Sequence, residues 1–188
     1  MDIDAKTLIL FVLDNSKKPL RGKVKLQKLI YFISEKLGLK YDFRPHYFGP
    51  YSSVVDSCLR DLLGLGFVKE SYFGFGYLND KGFVVGRYDY GLTKDGKQVL
   101  ETIKKEKIDE HDEFERTIKS FEPLPDYLIL SIAAKLNYLI KEKGGHITIS
   151  QFNEEAEKLN WGKISAKSIG AAIHFLCKNQ FIAISDGS

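Results

Sequence analysis

The segment RPHYFGPYSSVVDSCLRDLLGLGFV, Arg44–Val68, places an aromatic-rich stretch and a Gly-Pro pair directly before an apolar-periodic run. Gly49 suits a flexible entry to a helix. Pro50 is favoured at the first helical position, because its fixed φ suits a helix and an N–H is not needed there. Ser52 and Ser53 offer side-chain oxygens to the free amides of a first turn. The segment therefore predicts a turn that delivers a helix, whose buried stripe is Val55, Cys58, Leu59 and Leu62.

The elements on either side of this segment predict a winged helix-turn-helix domain. Residues 3–14 and 23–37 have the apolar spacing of buried helices, and the aromatic-rich residues 39–49 look extended. Residues 67–92 are rich in aromatic and β-branched types around an Asn-Asp-Lys-Gly turn signal at 79–82, which is typical of a β-hairpin. With a further helix after the hairpin, the order is helix, helix, strand, helix, hairpin, helix, and the hairpin is the wing.

A second, smaller unit follows a charged connecting helix. The sequence EPLPD at 122–126 is the strongest boundary in the chain, because two prolines break any helix. Residues 128–140 predict an apolar helix, and Ser150 and Ser165 are expected to cap two more helices. Residues 180–185 predict a closing strand. The pattern indicates a second helix-turn-helix-like unit with little or no wing.

The predicted fold class is mainly α with a small antiparallel β wing, an α+β arrangement of two winged-helix or helix-turn-helix-like units. The predicted domains are residues 1–122, the winged-helix domain with its connecting helix, and residues 123–188, the second unit. A unit as short as the second buries only roughly 60% of its surface alone. We therefore expect it to pack on the first unit or on a partner.

Composition argues against a membrane or secreted protein. The chain has 188 residues and a net charge of +3, and it contains no apolar window of transmembrane length. The apolar run Leu8–Leu13 follows charged residues and lacks a small-residue cleavage site, so it predicts a buried helix rather than a signal peptide. Cys58 and Cys177 are far apart in apolar-periodic segments, which is typical of reduced core thiols in a cytoplasmic protein.

Motif spacing gives no sign of catalysis, a metal or a cofactor. The four histidines lack metal-ligand spacing, and both cysteines fall on predicted inward faces, away from a role as nucleophiles. The glycine-rich residues 74–82 belong to a hairpin and lack the helix N-terminus that a phosphate loop needs. The acidic residues around His111 are best interpreted as a solvated helix face. We expect a non-enzymatic protein.

Two basic patches stand out from the nearly neutral chain. Residues 17–28 and 158–178 each carry several lysines and no acidic residue, and such patches attract phosphates. The helix after Ser165 suits a DNA major groove, because its exposed face is basic and it carries no acid. A transcriptional regulator that binds duplex DNA is the leading interpretation. The candidate DNA contacts are Lys23, Lys25, Lys28, Arg60, Lys163, Lys167, Ser168, His174 and Lys178.

Three short motifs resemble those of known families. KLQKL at 25–29, Tyr31 and GPYS at 49–52 make residues 5–100 resemble the Panacea domain, also called the SocA-like antitoxin domain. The resemblance implies a compact helical domain with a small sheet and no catalytic residues. Members act as antitoxins or interaction modules, and one hands its toxin to a protease. The motif YGLTKDG at 90–96 resembles the wing exit of many winged-helix regulators.

The alternative function is binding of a protein partner such as a toxin. The wing and the preceding segment carry more aromatic residues than a small sheet buries on one face, and exposed aromatic side chains are typical of protein-binding hot spots. The predicted contacts are Tyr47, Tyr51, Ser53, Ser57, Arg60, Tyr72, Phe75 and Tyr88. Gly49 and Pro50 have a structural role in the turn. A homodimer is a further possibility.

Overall fold

The computed structural model describes residues 3–16, 18–78, 80, 84–106 and 108–183, and for residues 108–111 the backbone alone. The chain divides into two compact units. The first contains Met1–Asp42 and Ser52–Lys119, and the second contains Phe43–Tyr51 and Ser120–Ser188.

The first unit is a helical domain with a three-stranded antiparallel sheet, and the predicted α+β fold class is confirmed. Its elements are α1 (Ala5–Asn15), β1 (Leu20–Arg21), α2 (Lys23–Leu37), α3 (Ser53–Gly64), β2 (Val68–Leu78), β3 (Val84–Leu92), α4 (Lys94–Glu106) and α5 (Ile108–Ser120). Asp4 caps α1 by accepting from the Thr7 amide. α2 ends at Gly38, whose left-handed φ of +67° places a glycine where an L side chain would be strained.

The sheet has the topology of a winged helix, with β2 and β3 as the wing. The strand order is β1-β3-β2, so that β3 is central and β2 lies at an edge. In β1, Leu20 pairs with Tyr90 of β3. The sequence did not predict β1, because two residues are too few to show the alternation of apolar and polar side chains that marks a strand. Asn79, Lys81 and Gly82, three of the four residues of the predicted hairpin turn, lie outside the described residues.

The core of the first unit is built around α1. Every side chain from Leu8 to Leu13 is buried, as the apolar run predicts, and α1 contacts α2, α3, α4 and β3. The connecting helix α5 adds Phe114 and Ile118 to this core, and the rings of Phe11 and Phe114 lie 5.8 Å apart. Burial of such side chains contributes roughly 1.5–3 kcal/mol each.

The described part of the second unit, up to residue 183, contains three helices, α6 (Tyr127–Glu142), α7 (Ile149–Lys158) and α8 (Ala166–Lys178). Ser165 caps α8 as predicted. The cap of α7 is Thr148 rather than Ser150, because Thr148 and Gln151 form a reciprocal capping box. Residues 180–183 do not form the predicted strand, and residues 184 and 185 lie outside the described part of the chain.

The aromatic segment 43–51 is a closed loop, not the extended strand that the sequence predicts. It belongs to the second unit, whereas the predicted domains placed all residues up to 122 in the first. Arg44 and Tyr51 form an isolated antiparallel bridge. Gly49, with φ of +90°, donates its amide to the His46 carbonyl at 2.8 Å and makes the turn. Pro50 belongs to this loop and not to the first turn of α3, which begins at Ser53.

None of the helices in the described ranges is both long and apolar enough to cross a membrane. Across the same ranges, we find no cluster of three or more His, Cys, Asp or Glu side chains arranged to hold a metal ion.

Candidate interaction surfaces

The helix pair α2–α3 is locked by a buried glutamine that sequence reasoning missed. The Gln27 amide donates to the Ser52 carbonyl at 3.0 Å and accepts from the Ser52 amide at 3.1 Å. Ser52 also caps α3 through the Val55 amide and donates its hydroxyl to the Tyr41 carbonyl. The motifs KLQKL and GPYS therefore meet through Gln27 and Ser52, and these two residues have a structural role.

The two acidic side chains of α3, Asp56 and Asp61, pair with basic side chains of α1, α2 and α3. Asp56 is 4% exposed and lies between Lys23, 2.9 Å away, and Arg60 of the same helix. Lys6 pairs with Asp61 at 2.8 Å, and this carboxylate raises the pKa of Lys6. Ser52 is buried as well. Lys6, Lys23 and Arg60 thus each have a carboxylate beside them.

Lys28 is not available as a phosphate contact, and this corrects the prediction. Its side chain is 2% exposed, within the buried face of α2. Lys25, on the same helix, is half-buried, whereas Lys23 and Arg60 are exposed and bound to Asp56. Lys28 belongs to the basic patch 17–28, but packing buries every residue of α2 from Leu26 to Ser34.

The wing exit motif YGLTKDG fixes the base of the wing. The Thr93 hydroxyl donates to the Gly66 carbonyl at 2.7 Å and accepts from the Gly96 amide at 3.0 Å, so Thr93 caps α4. A Cβ on Gly96 would lie 2.0 Å from the Phe67 carbonyl oxygen, so a glycine is required there. Burial raises the pKa of Tyr90 to about 12. Thr93 and Gly96 therefore hold the start of α4 against the residues at the base of the hairpin.

Beyond this base, the wing exposes its side chains to solvent on both faces. β2 is exposed at every position from Lys69 to Leu78. Because β2 is the edge strand, the outer backbone groups of these residues pair with no strand among the described residues. The exposed large apolar side chains of the wing are Tyr72, Phe73, Phe75, Tyr77, Leu78, Val84 and Tyr88. Phe83 lies outside the described residues.

The aromatic side chains form a row on one face of the wing and a pair on the other. Phe73, Phe75 and Tyr77 follow one another with ring centroids 6.1 and 6.2 Å apart. Arg87, opposite Phe73 in the register, covers that ring at 4.6 Å. On the other face, Tyr72 stands against Tyr88 at 5.2 Å.

The exposed face of α8 is basic, as predicted. Lys167, His174 and Lys178 are all exposed, and α8 contains no carboxylate. Lys178 donates to the backbone carbonyl of Glu122 at 3.1 Å. This acceptor is uncharged, so the contact does not neutralise the positive charge of Lys178. Lys163 is exposed just before the helix, while Ser168 is half-buried and its amide binds the Ser165 hydroxyl.

The structure distributes both sets of predicted contacts over the two units. The DNA set divides into Lys23, Lys25, Lys28 and Arg60 of the first unit and Lys163, Lys167, Ser168, His174 and Lys178 of the second. The protein set divides into Ser53, Ser57, Arg60, Tyr72, Phe75 and Tyr88 of the first unit and Tyr47 and Tyr51 of the second. Within the first unit, Tyr72, Phe75 and Tyr88 share the wing.

The class defined by these elements is an α+β protein with a winged-helix first unit and a three-helix second unit. No family model matches the chain. It is similar to the uncharacterized protein YwgA of Bacillus subtilis (strain 168), with 36% identity over 84 residues. The aligned part covers 43% of this chain and 45% of that protein, so the chain matches about half the length of this relative.

Proposed function

We propose that this protein is a non-enzymatic interaction module whose wing binds an extended segment of a partner protein. The single observation that carries the proposal is the edge strand β2, exposed at all ten positions from Lys69 to Leu78. An exposed, unpaired edge strand is a template for pairing with another chain. The register of β2 against β3 is regular from Val68 to Gly74 and shifts between Gly74 and Leu78, so the regular stretch is the one that offers this template. Partner proteins use this template by adding a strand, whose main-chain hydrogen bonds supply affinity.

The aromatic side chains give such a strand its specificity. Alternate residues of an added strand lie against opposite faces of the wing. On one face they meet Phe73, Phe75 and Tyr77, and on the other they meet Tyr72, which packs against Tyr88 of the neighbouring strand β3. Aromatic residues of this kind dominate binding energy at protein interfaces. The partner is therefore a protein with an extended, apolar-rich segment, and the resemblance to antitoxin domains supports a toxin of this description.

The pairing of cations at α3 supports this proposal over DNA binding by the first unit. A recognition helix in a major groove gains affinity from cations that neutralise phosphates. Lys23 and Arg60 instead share the Asp56 carboxylate, and Lys6 is held by Asp61. These pairs would have to open before the cations reached DNA.

Affinity purification from the native host, with matched variants, tests the proposal. The wing variant carries Phe73→Ser, Phe75→Ser and Tyr77→Ser, which are exposed positions and so leave the core intact. The control variant carries Lys167→Glu and Lys178→Glu on α8. A specific partner should be recovered by wild type and control and lost from the wing variant, and it should bind purified wild-type protein at least tenfold tighter than the wing variant.

Equal recovery of every protein by the wing variant and the wild type would refute wing binding. Light scattering on the purified chain distinguishes a second copy from a foreign partner, since self-association through β2 would give a wild-type dimer and a monomeric wing variant.

A second candidate function, binding of duplex DNA, is favoured by the basic face of α8 alone. Lys167, His174 and Lys178 are exposed on a helix without a carboxylate. Fluorescence anisotropy with random duplex DNA at low and moderate salt tests it. Binding that falls steeply with salt, and that disappears when these three residues are changed to glutamate, would support this candidate. Absence of binding at low salt would eliminate it.

A further inference from the structure

A cavity of about 250 Å³ lies beside the N-terminus of α8, within the second unit. Its walls come from the loop 43–51, from α6 and from the turn that precedes α8. Two hydrogen bonds hold these walls together. The Trp161 indole donates to the His46 carbonyl at 2.8 Å, and the Ser131 hydroxyl donates to the Phe48 carbonyl. The cavity is thus a built feature of this unit.

The cavity is lined by a buried lysine that has no acidic partner among the described residues. Lys135 is 7% exposed, so more than nine-tenths of it is buried. Its ammonium nitrogen lies over the Trp161 ring, 5.0 Å from the ring centroid. Burial lowers the pKa of Lys135 to about 8, and no carboxylate of the described residues offsets this effect. An ammonium group that is buried without an anion is costly, and a ligand anion would relieve that cost.

The start of α8, which also lines the cavity, offers further donors for an anion. Ser165 caps α8, accepts from the Ser168 amide at 3.1 Å and donates its own hydroxyl proton to Ser168 Oγ at 2.9 Å. The Ser168 hydroxyl proton is therefore available to a ligand. The N-terminus of this 13-residue helix carries a partial positive charge, and Lys163 stands exposed at the rim.

We propose that this cavity binds a small organic anion, a carboxylate or a phosphate monoester carried on an apolar or aromatic body. The anionic group lies between the Lys135 ammonium and the Ser168 hydroxyl at the start of α8. The body lies against Tyr47 and Phe48, which line the same cavity and remain partly exposed. The size of the cavity fits a metabolite-sized ligand rather than a polymer. This proposal is independent of partner binding at the wing.

Isothermal titration calorimetry on the full chain, in a buffer free of phosphate and carboxylate, tests the site. The probes are phenyl phosphate, benzoate and inorganic phosphate. The Lys135→Met variant removes the charge and keeps the approximate length of the side chain. Lys158→Met is the matched control, because Lys158 is an exposed lysine of the same unit that lies outside the cavity. Phenyl phosphate or benzoate should bind saturably to wild type and control and at least tenfold more weakly to Lys135→Met.

The three probes distinguish the source of the anion. Preference for phenyl phosphate indicates a phosphate ester, and preference for benzoate indicates a carboxylate. Binding of inorganic phosphate alone would mean an adventitious ion only and would overturn the proposal. So would equal affinity in wild type and Lys135→Met, or no saturable heat with any probe.

Proton uptake provides a second readout. A bound anion raises the pKa of Lys135, so binding near pH 8.5 should take up protons, which two buffers of different ionisation enthalpy reveal. The other titratable groups that line the cavity are Tyr47, Tyr127 and Lys163. The Lys135→Met variant should take up fewer protons than wild type, whereas equal uptake would assign the effect to another group.

Discussion

Replacement of Lys135 by methionine is expected to stabilise the second unit. The pKa of Lys135 is lowered from 10.5 to about 8 because burial disfavours the charged form. At about 1.4 kcal/mol for each pKa unit, keeping the protonated side chain buried costs roughly 3 kcal/mol. Loss of the contact with the Trp161 ring offsets about 1 kcal/mol of the gain. We therefore expect the Lys135→Met variant to be more stable by about 2 kcal/mol at pH 7.

The sign of the pH dependence follows from the same shift. Since the folded-state pKa of Lys135 lies below its unfolded value, the cost is fully present below about pH 8. Between about pH 8 and 10.5 the unfolded chain binds more protons at this site than the folded chain does. The stability of wild type relative to the variant should therefore rise over that window, and the advantage of the variant should shrink.

Urea denaturation followed by tryptophan fluorescence measures this difference. The chain contains one tryptophan, Trp161, so the signal reports the second unit. Midpoints are compared between wild type and Lys135→Met at pH 7 and pH 10, in a buffer without phosphate, because a bound anion would stabilise wild type. A difference in unfolding free energy that is the same at both pH values, or a variant less stable than wild type at pH 7, would refute the argument.

Two further predictions concern local structure. Gly96→Ala should destabilise the first unit by about 2 kcal/mol or more, because the added Cβ would lie 2.0 Å from the Phe67 carbonyl oxygen. Thermal unfolding measures this loss of stability. An unchanged unfolding midpoint would contradict the close contact. Thr148→Ala should cost the second unit about 1 kcal/mol by removing the capping box with Gln151. Ser150→Ala, at an exposed position, is its control and should leave the unfolding midpoint unchanged.

Much of the fold follows from local sequence, because helix periodicity, caps and wing residues act over short distances. α2 begins and ends where its spacing and Gly38 predict, and Ser52 and Ser165 cap the helices expected of them. β1 was missed because it gains its identity from pairing with β3, far along the chain. Thr148 competes with Ser150 for the same role, and only the geometry of the capping box decides between them.

The candidate sites depend more on tertiary packing, and the sequence predicted less of them. The exposed aromatic wing and the basic face of α8 follow from alternation and spacing, and both are present. The burial of Lys28, Asp56 and Lys135 could not be predicted, since a charged residue is expected outside unless distant parts of the chain enclose it. Gln27 lies within the KLQKL motif that the sequence analysis singled out. Its hydrogen bonds could not be predicted, because its partner Ser52 lies 25 residues away. The resemblance to the Panacea domain, and the antitoxin-like role that it implies, stay predictions.

Hydrogen exchange of the wing in the purified complex tests the central claim most directly. The partner is the protein that wild type retains and the wing variant loses, and exchange is measured with and without it. If the partner adds a strand to the edge of the wing, the amides of β2 that point away from β3 should become strongly protected, whereas those of α8 should exchange as before. Protection confined to α8, or no change in β2, would contradict the account.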